Sequence, residues 1–331
     1  MRYTEIAEAS PPDHLITGIR QAKAPYGKPL RKLECPWSDA WQFHPSTVSQ
    51  LSSQAVSETW AMRKGSSNVC TLIAYYQMYP TYPVVVAANR DEYYTRKARQ
   101  PHMIHQQPRV YAGKDEHAGG TWLGVNEFGL VAGLLNRHSP EPQDPARRSR
   151  GLLCLDMLCQ RDALAARDML VTEARTHPYN SFYVFWADSE HAYLAYNEEN
   201  ITIRAIQPGR YLLTNSSLID LSQLTPAGLG DLLTDPHPAS LDATWAKLQA
   251  VCRTHHEIDR VVDPPNEHRG NRAICVHASD HYGTVSSSLL AIGRDWSTNR
   301  YLHAEGAPCC TPYQNISALF TDECDGHMPA D

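Results

Sequence analysis

From Cys70 onward the chain is written in short apolar runs broken by turn residues. The stretches "CTLIAYY" and "YPVVVAA" are β-branched and aromatic, flank a proline-containing turn, and predict a pair of strands. A second hairpin follows in "GTWLGVNEFGLVAGLLN", with strand Thr121 to Val125, a turn at Asn126 to Gly129, and strand Leu130 to Leu135. The period then changes. Leu152, Leu155, Leu158 and Cys159 recur at helical spacing, and the helix formers of "RDALAARDMLVTEART" run on until His177-Pro178 stops them. Between Ser181 and Thr214, "FYVFWA", "AYLAYN", "ITIRAI" and "YLLT" predict an antiparallel meander. A helix over Ser240 to Arg253 comes next, and "AICVHA" and "VSSSLLAIG" close the sheet system. Hairpins, helices, meander, helix and hairpin add up to an α+β layered sandwich.

Residues 1–69 have a different texture: Pro, Ser, Gln and charge with little sustained periodicity. They are read as an extension ahead of a folded body over 70–331, whether a propeptide, an accessory segment or the product of a start codon set too far upstream. At 331 residues and 42% hydrophobic content the chain can bury a full core. A net charge of −6 has the wrong sign for a phosphate backbone, so nucleic acid is not an expected partner. No apolar run approaches the roughly 20 residues of a membrane helix, and "MRYTEIAEASPPDHL" has neither a basic start nor an apolar secretory stretch. The expected compartment is the cytoplasm. Nine cysteines are scattered without a compact framework. Cys275, His277 and His281, with the pair Cys309-Cys310, invite zinc, but C-x-H-x3-H lacks a matching second half. They are read as core thiols and surface imidazoles, with no metal and no cofactor. No repeat or P-loop is present, and "GGTWLG" is too short for a dinucleotide fingerprint.

The chemistry is looked for at strand ends. A strand cysteine such as Cys70 is ordinarily a small buried hydrophobe. Asn89, Arg90, Asp91 and Glu92, directly after "VVVAA", make a charged turn or else aim an amide, a guanidinium and a carboxylate at one point. Asn136 and Asn215 each end a predicted strand, where Asn is favoured for local hydrogen bonding alone. Taken together with Cys70 and Asp91 they form a parts list for acyl transfer: a thiol nucleophile, an acid to orient a base, and amide donors for an oxyanion. No histidine base is evident.

In order, "CTLIA", "AANRDE", "AGGTWLGVNEFGLVAGLLN", "YLLTNSSLID" and "YGTVSSSLL" resemble the motifs of the NRDE family, also called the transport and Golgi organisation 2 family, over about Cys70 to Asp295. That family is similar to the cysteine N-terminal-nucleophile hydrolases, among them choloylglycine hydrolases and penicillin V acylases. The resemblance implies a four-layer αββα sandwich. It implies Cys70 as nucleophile, Asp91 holding its amine, Asn215 binding the oxyanion or substrate, a backbone donor beside Asn136, and Arg90 as a nearby cation. Asn89 falls with these as a substrate-side amide. A terminal cysteine also supplies the missing base, since a free α-amine has a pKa of about 7.7–8.0. Two departures stand out. Val285 occupies a place where the family often has arginine, and Val69 rather than an initiating methionine precedes Cys70. Two functions follow from the resemblance: hydrolysis of a small linear amide, or non-catalytic carriage of a lipid, acyl-CoA or haem-like ligand.

Overall fold

The computed structural model describes residues 70–197, 200–221, 240–254 and 274–321. The expected extension over 1–69 lies outside the described residues. Among the described residues fourteen strands form two seven-stranded sheets, antiparallel throughout. In chain order they are β1 (Thr71–Tyr76), β2 (Val84–Tyr93), β3 (Ala98–Gln106), β4 (Arg109–Asp115), β5 (Leu123–Asn126), β6 (Val131–Asn136), β7 (Phe182–Ala187) and β8 (Ala192–Asn197). The remainder are β9 (Ile201–Ala205), β10 (Gly209–Thr214), β11 (Leu218–Asp220), β12 (Tyr282–Ile292), β13 (Arg300–Ala304) and β14 (Gln314–Asn315). One sheet runs β11-β10-β1-β2-β12-β13-β14 and the other runs β3 through β9 in sequence order. Among the described residues three α-helices accompany them: α1 (Arg150–Leu158), α2 (Ala163–Thr176) and α3 (Leu241–Cys252).

Alternation along the central strands builds the layers. In β1, Leu72, Ala74 and Tyr76 enter the core between the sheets, where they meet Tyr183, Phe185 and Leu213. Ile73 and Tyr75 face the other way, onto Trp245, Leu248 and Val251 of α3. The second sheet repeats the arrangement: Phe182, Val184 and Trp186 of β7 pack on Leu153, Met157, Ala166 and Leu170 of α1 and α2. Helix, sheet, sheet and helices make the four-layer αββα sandwich. Strands covered on both faces need no polar side, so "TLIAYY" and "FYVFWA" read as unbroken apolar runs. Among the described residues no helix is long and apolar enough to cross a membrane.

Polar anchors hold the layers in register. Asn126 accepts from the backbone N–H groups of Phe128 and Leu130, both at 3.0 Å, which shapes the β5–β6 turn around Gly129 at φ +82°. Its amide donates to the carbonyls of Leu158 and Gln160 and so ties the end of α1 to that turn. Capping sets two helix starts: Asp162 accepts from Ala165 N at 2.8 Å and Ser240 from Ala243 N at 3.2 Å.

One expectation changes, and two parts of the sheets go beyond what the sequence predicts. "AICVHA" is no strand among its described residues, which carry one isolated bridge, His277 to Gly283; the Val276 N–H goes instead to the Thr284 hydroxyl. The hairpin β3–β4 was not legible, because β3 is an edge strand with mostly half-exposed polar residues and register shifts at Arg99/His102 and Met103/His105. β13 and β14 were likewise unread, since the last is two residues long.

"GGTWLG" is a packing motif. A Cβ on Gly120 would lie 2.1 Å from the backbone carbon of Gly151, at the start of α1, and Thr121 N donates to Gly151 O at 3.0 Å. Two backbones touch there, and neither can yield as a side chain would. Gly120→Ala is therefore expected to cost about 1–3 kcal/mol of stability, the range of overpacked cores, read as a lowered denaturation midpoint at unchanged slope.

Candidate active site

Cys70 lies immediately before β1, which is paired on both edges. Thr71 is opposite Asn89 on β2 and opposite Thr214 on β10. One step back along those registers sets Cys70 between Arg90 and Asn215. The half-buried thiol has its Sγ 3.6 Å from the backbone oxygen of Asp91. Burial, then the negative charge of Asp91, push that thiol up to about 12; the Asp91 backbone contact and the Arg90 charge oppose them more weakly. With an intact peptide bond before it, Cys70 carries a protonated thiol at neutral pH.

Asp91 is 3% exposed. One carboxyl oxygen accepts from the Thr284 hydroxyl at 2.5 Å; the other is buried and accepts from no described residue. Burial holds the carboxyl well above the usual carboxylate range, with the Thr284 bond pulling the other way. A buried carboxyl oxygen without a donor is a costly arrangement, and a cation beside it would relieve the cost. Thr284 is brought to Asp91 by a bulge: Asp91 pairs with Thr284 and Arg90 with Ser286, which leaves Val285 as the extra residue of β12.

Arg90 points into the sandwich, its guanidinium 4.5 Å from the ring centroid of Trp122. Burial lowers its pKa, while the charges of Glu92, Asp115 and Cys70 counter that effect. Gly113 makes the room for Trp122, because a Cβ there would meet the indole at 2.5 Å. Asn89 is placed elsewhere. One residue from Arg90, it faces the helix layer, and its amide donates to the carbonyls of Cys252 and Ile274 at 2.9 and 2.8 Å. It is a structural anchor on the opposite face of the sheet, not a substrate-side amide.

Asn215 and Asn136 come together across the two sheets, the Asn215 amide donating to the Asn136 carbonyl. The Asn215 side-chain oxygen is buried and has no donor among the described residues. Backbone N–H groups just after Asn136 are already committed, Arg137 to Ser181 O and His138 to Asn215 O. The Asn215 amide, with one hydrogen on the Asn136 carbonyl, keeps a second to offer. Both residues line a cleft of about 370 Å³, with Arg137, Gln143, Arg150 and Ser181 on its walls. Arg150, at the first position of α1, donates to Ser181 O at 2.8 Å and to Gln143 at 3.0 Å. Burial and repulsion from Arg96 bring it down to about 10, against the attraction of Cys70 and Glu92.

Arg150, Thr284 and Trp122 were missed from sequence. The cluster "RRSRG" ahead of a helical run signals the first, and the aromatic in "GGTWLG" the last. Thr284 lies within "YGTVSSSLL", but its role had no signal, since it reaches Asp91 across 193 residues of chain and only through the bulge.

The chain matches the family model for transport and Golgi organisation 2 over residues 69–302. It is 30% identical over 257 residues to the transport and Golgi organization protein 2 homolog of Homo sapiens, covering 66% of this chain and 92% of the relative. The Bos taurus homolog is 28% identical over 236 residues, covering 65% and 83%. With the Mus musculus homolog, 33% identical over 146 residues, the match spans 41% of this chain and 52% of the relative. Similar solved structures include a penicillin V acylase from Agrobacterium tumefaciens, at TM-score 0.44 and 12% identity over 71% of this chain and 83% of that one. A variant of conjugated bile acid hydrolase from Clostridium perfringens gives TM-score 0.48 and 11% identity over 78% and 95%. With a matched region that runs from Val69 into β13 and takes in Cys70, Asp91, Asn136 and Asn215, the chain belongs to the transport and Golgi organisation 2 family.

Proposed function

We propose that the protein is a cytoplasmic cysteine amidohydrolase of the N-terminal-nucleophile type, acting on a small linear amide after residues 1–69 have been removed. The observation that carries the reading is the buried Asp91 oxygen without a donor beside a thiol held at about 12. Freeing the Cys70 amine would supply a neutral base next to Sγ, and once that base has taken the thiol proton, a cation next to Asp91. The thiol proton passes to the amine, the thiolate adds to the amide carbonyl, and the Asn215 amide meets the oxyanion. The amine leaving group departs with the proton held on the α-ammonium, and water hydrolyses the thioester to release the acid. Arg137 and Arg150 on the cleft wall suit an amide that carries an anionic group. Thiols at Cys70, Cys154, Cys159, Cys252 and Cys275 support a reducing compartment, although Cys310 is disulfide-bonded.

A second reading, a carrier without turnover, is favoured by that same unactivated thiol. The polar cleft then takes a polar or anionic ligand more readily than a bare hydrocarbon.

If cleavage before Cys70 generates the enzyme, a chain begun Met-Cys70 and trimmed of its methionine should hydrolyse linear amides and label at Cys70 with a thiol-directed probe. Full-length Cys70→Ala should keep its intact mass under conditions in which the wild type loses residues 1–69. Hydrolysis by a chain whose mass shows residues 1–69 still attached would exclude the mechanism, and inertness of the trimmed chain would leave the carrier reading.

In the trimmed chain, Asn215→Ala should raise the barrier by about 2.7–4 kcal/mol, seen in kcat with little change in KM. A change confined to KM makes Asn215 a binding residue.

Asp91→Asn should act oppositely in the two forms, nearly abolishing turnover in the trimmed chain while stabilising the full-length one at neutral pH. The sign follows from the raised carboxyl. Below the unfolded pKa of about 3.9 both states are protonated and the aspartate costs nothing extra; as pH rises toward its folded value, the wild type progressively loses stability. The gap between variant and wild type, measured by denaturant titration, should close as pH falls toward 4.

A further inference from the structure

Cys275 and His277 stand on the stretch after α3, and Cys309 arrives from beyond β13, 32 residues on from His277. The His277 Nε2 lies 3.1 Å from Cys309 Sγ and 3.7 Å from Cys275 Sγ, and all three donor atoms fall within 4.8 Å of one another. Zn–S near 2.3 Å and Zn–N near 2.0–2.1 Å at a tetrahedral angle put donor atoms about 3.5–3.8 Å apart, so the spacing already fits one ion. Neither Cys275 nor Cys309 is in a disulfide. His281, the histidine that linear spacing offered, is not part of the group. Cys310 Sγ lies 3.3 Å from Cys309 Sγ, but Cys310 is disulfide-bonded and supplies no thiolate.

We propose that Cys275, His277 and Cys309 form a zinc site with water in the fourth position, and that the ion clamps the 274–284 segment onto the strand that carries Asp91. Two thiolates and an imidazole are the borderline-soft donor set that zinc takes, and two thiolates neutralise its charge. Each ion bound displaces two thiol protons to solvent. The clamp is visible in the hydrogen bonds around the ligands. Ile274 O accepts from Asn89, next but one to Asp91 on β2. Val276, between the two ligands, donates its N–H to the Thr284 hydroxyl and accepts from Thr284 N, and the same hydroxyl donates to Asp91. The ion thus fixes both ends of the dipeptide step that holds the Asp91 partner. This inference stands whether or not the protein turns over an amide.

The test uses the full-length protein, kept under a phosphine reductant, loaded with zinc, desalted against a weak chelator and measured for metal by mass spectrometry. One zinc per chain is expected, with two protons released per ion near neutral pH. Cobalt(II) in place of zinc should give the thiolate-to-cobalt charge-transfer band and the intense visible bands of a tetrahedral site. Cys275→Ser and Cys309→Ser should each abolish that band, His277→Ala should weaken binding about tenfold or more, and Cys159→Ser should change nothing. Zinc should slow hydrogen exchange at the Val276 and Thr284 amides. Substoichiometric zinc, an octahedral cobalt spectrum without a thiolate band, or undiminished binding by the Cys275→Ser, Cys309→Ser double variant would overturn the site. Exchange at Val276 and Thr284 that is indifferent to bound zinc would overturn the clamp. The wild-type cobalt spectrum decides the question even if a variant fails to fold.

Discussion

Everything at the candidate site depends on β1 being buried on both faces and paired on both edges. A six-residue apolar strand in that position cannot slide, since a shift of one residue would exchange Leu72, Ala74 and Tyr76 for Ile73 and Tyr75 and mismatch both the inter-sheet core and the α3 layer. Cys70 inherits this rigidity. Its neighbours are set by backbone ladders to β2 and β10 rather than by side-chain packing, so Arg90 and Asn215 are held to either side of it by the most cooperative part of the fold.

On that frame the charges are arranged with unusual economy. Asp91 is buried with a single hydroxyl partner, Arg90 leans on an indole, and Arg150 is half-buried on main-chain and amide oxygens. Each charge is thereby left answerable to a neighbour that is small and close, in surroundings where water screens little.

How much of this could be read beforehand follows from what sequence pattern encodes. Strands covered on both faces announce themselves by unbroken apolar runs, and helices by period, so β1, β2, β5 to β10, β12, α1, α2 and α3 were legible. The edge hairpin β3–β4 was not, because β3 carries mostly polar, half-buried residues and β4 has only a three-residue apolar stretch. For the candidate site, Cys70, Asp91 and Asn215 were picked out by residue type at strand ends. Asn89 was misplaced because its amide is taken up by the carbonyls of Cys252 and Ile274, far along the chain, which four consecutive polar residues do not reveal. Thr284 and Cys309 stand in stretches the sequence singled out, but their partners were not legible, because contacts across long stretches of chain leave no trace in local spacing.

The amide of Asn215 spans the seam between the sheets, one of its hydrogens spent on the carbonyl of Asn136. That contact makes the sandwich itself the ruler for the second hydrogen. Any movement of one sheet over the other swings the free N–H through an arc about the Asn136 oxygen, so substitutions deep in the inter-sheet core, at Leu72 or Phe185 for example, reach the cleft as a rotation of a single donor. Divergence among relatives in how their sheets are packed would then tune the angle at which a ligand is met, with every residue of the cleft unchanged.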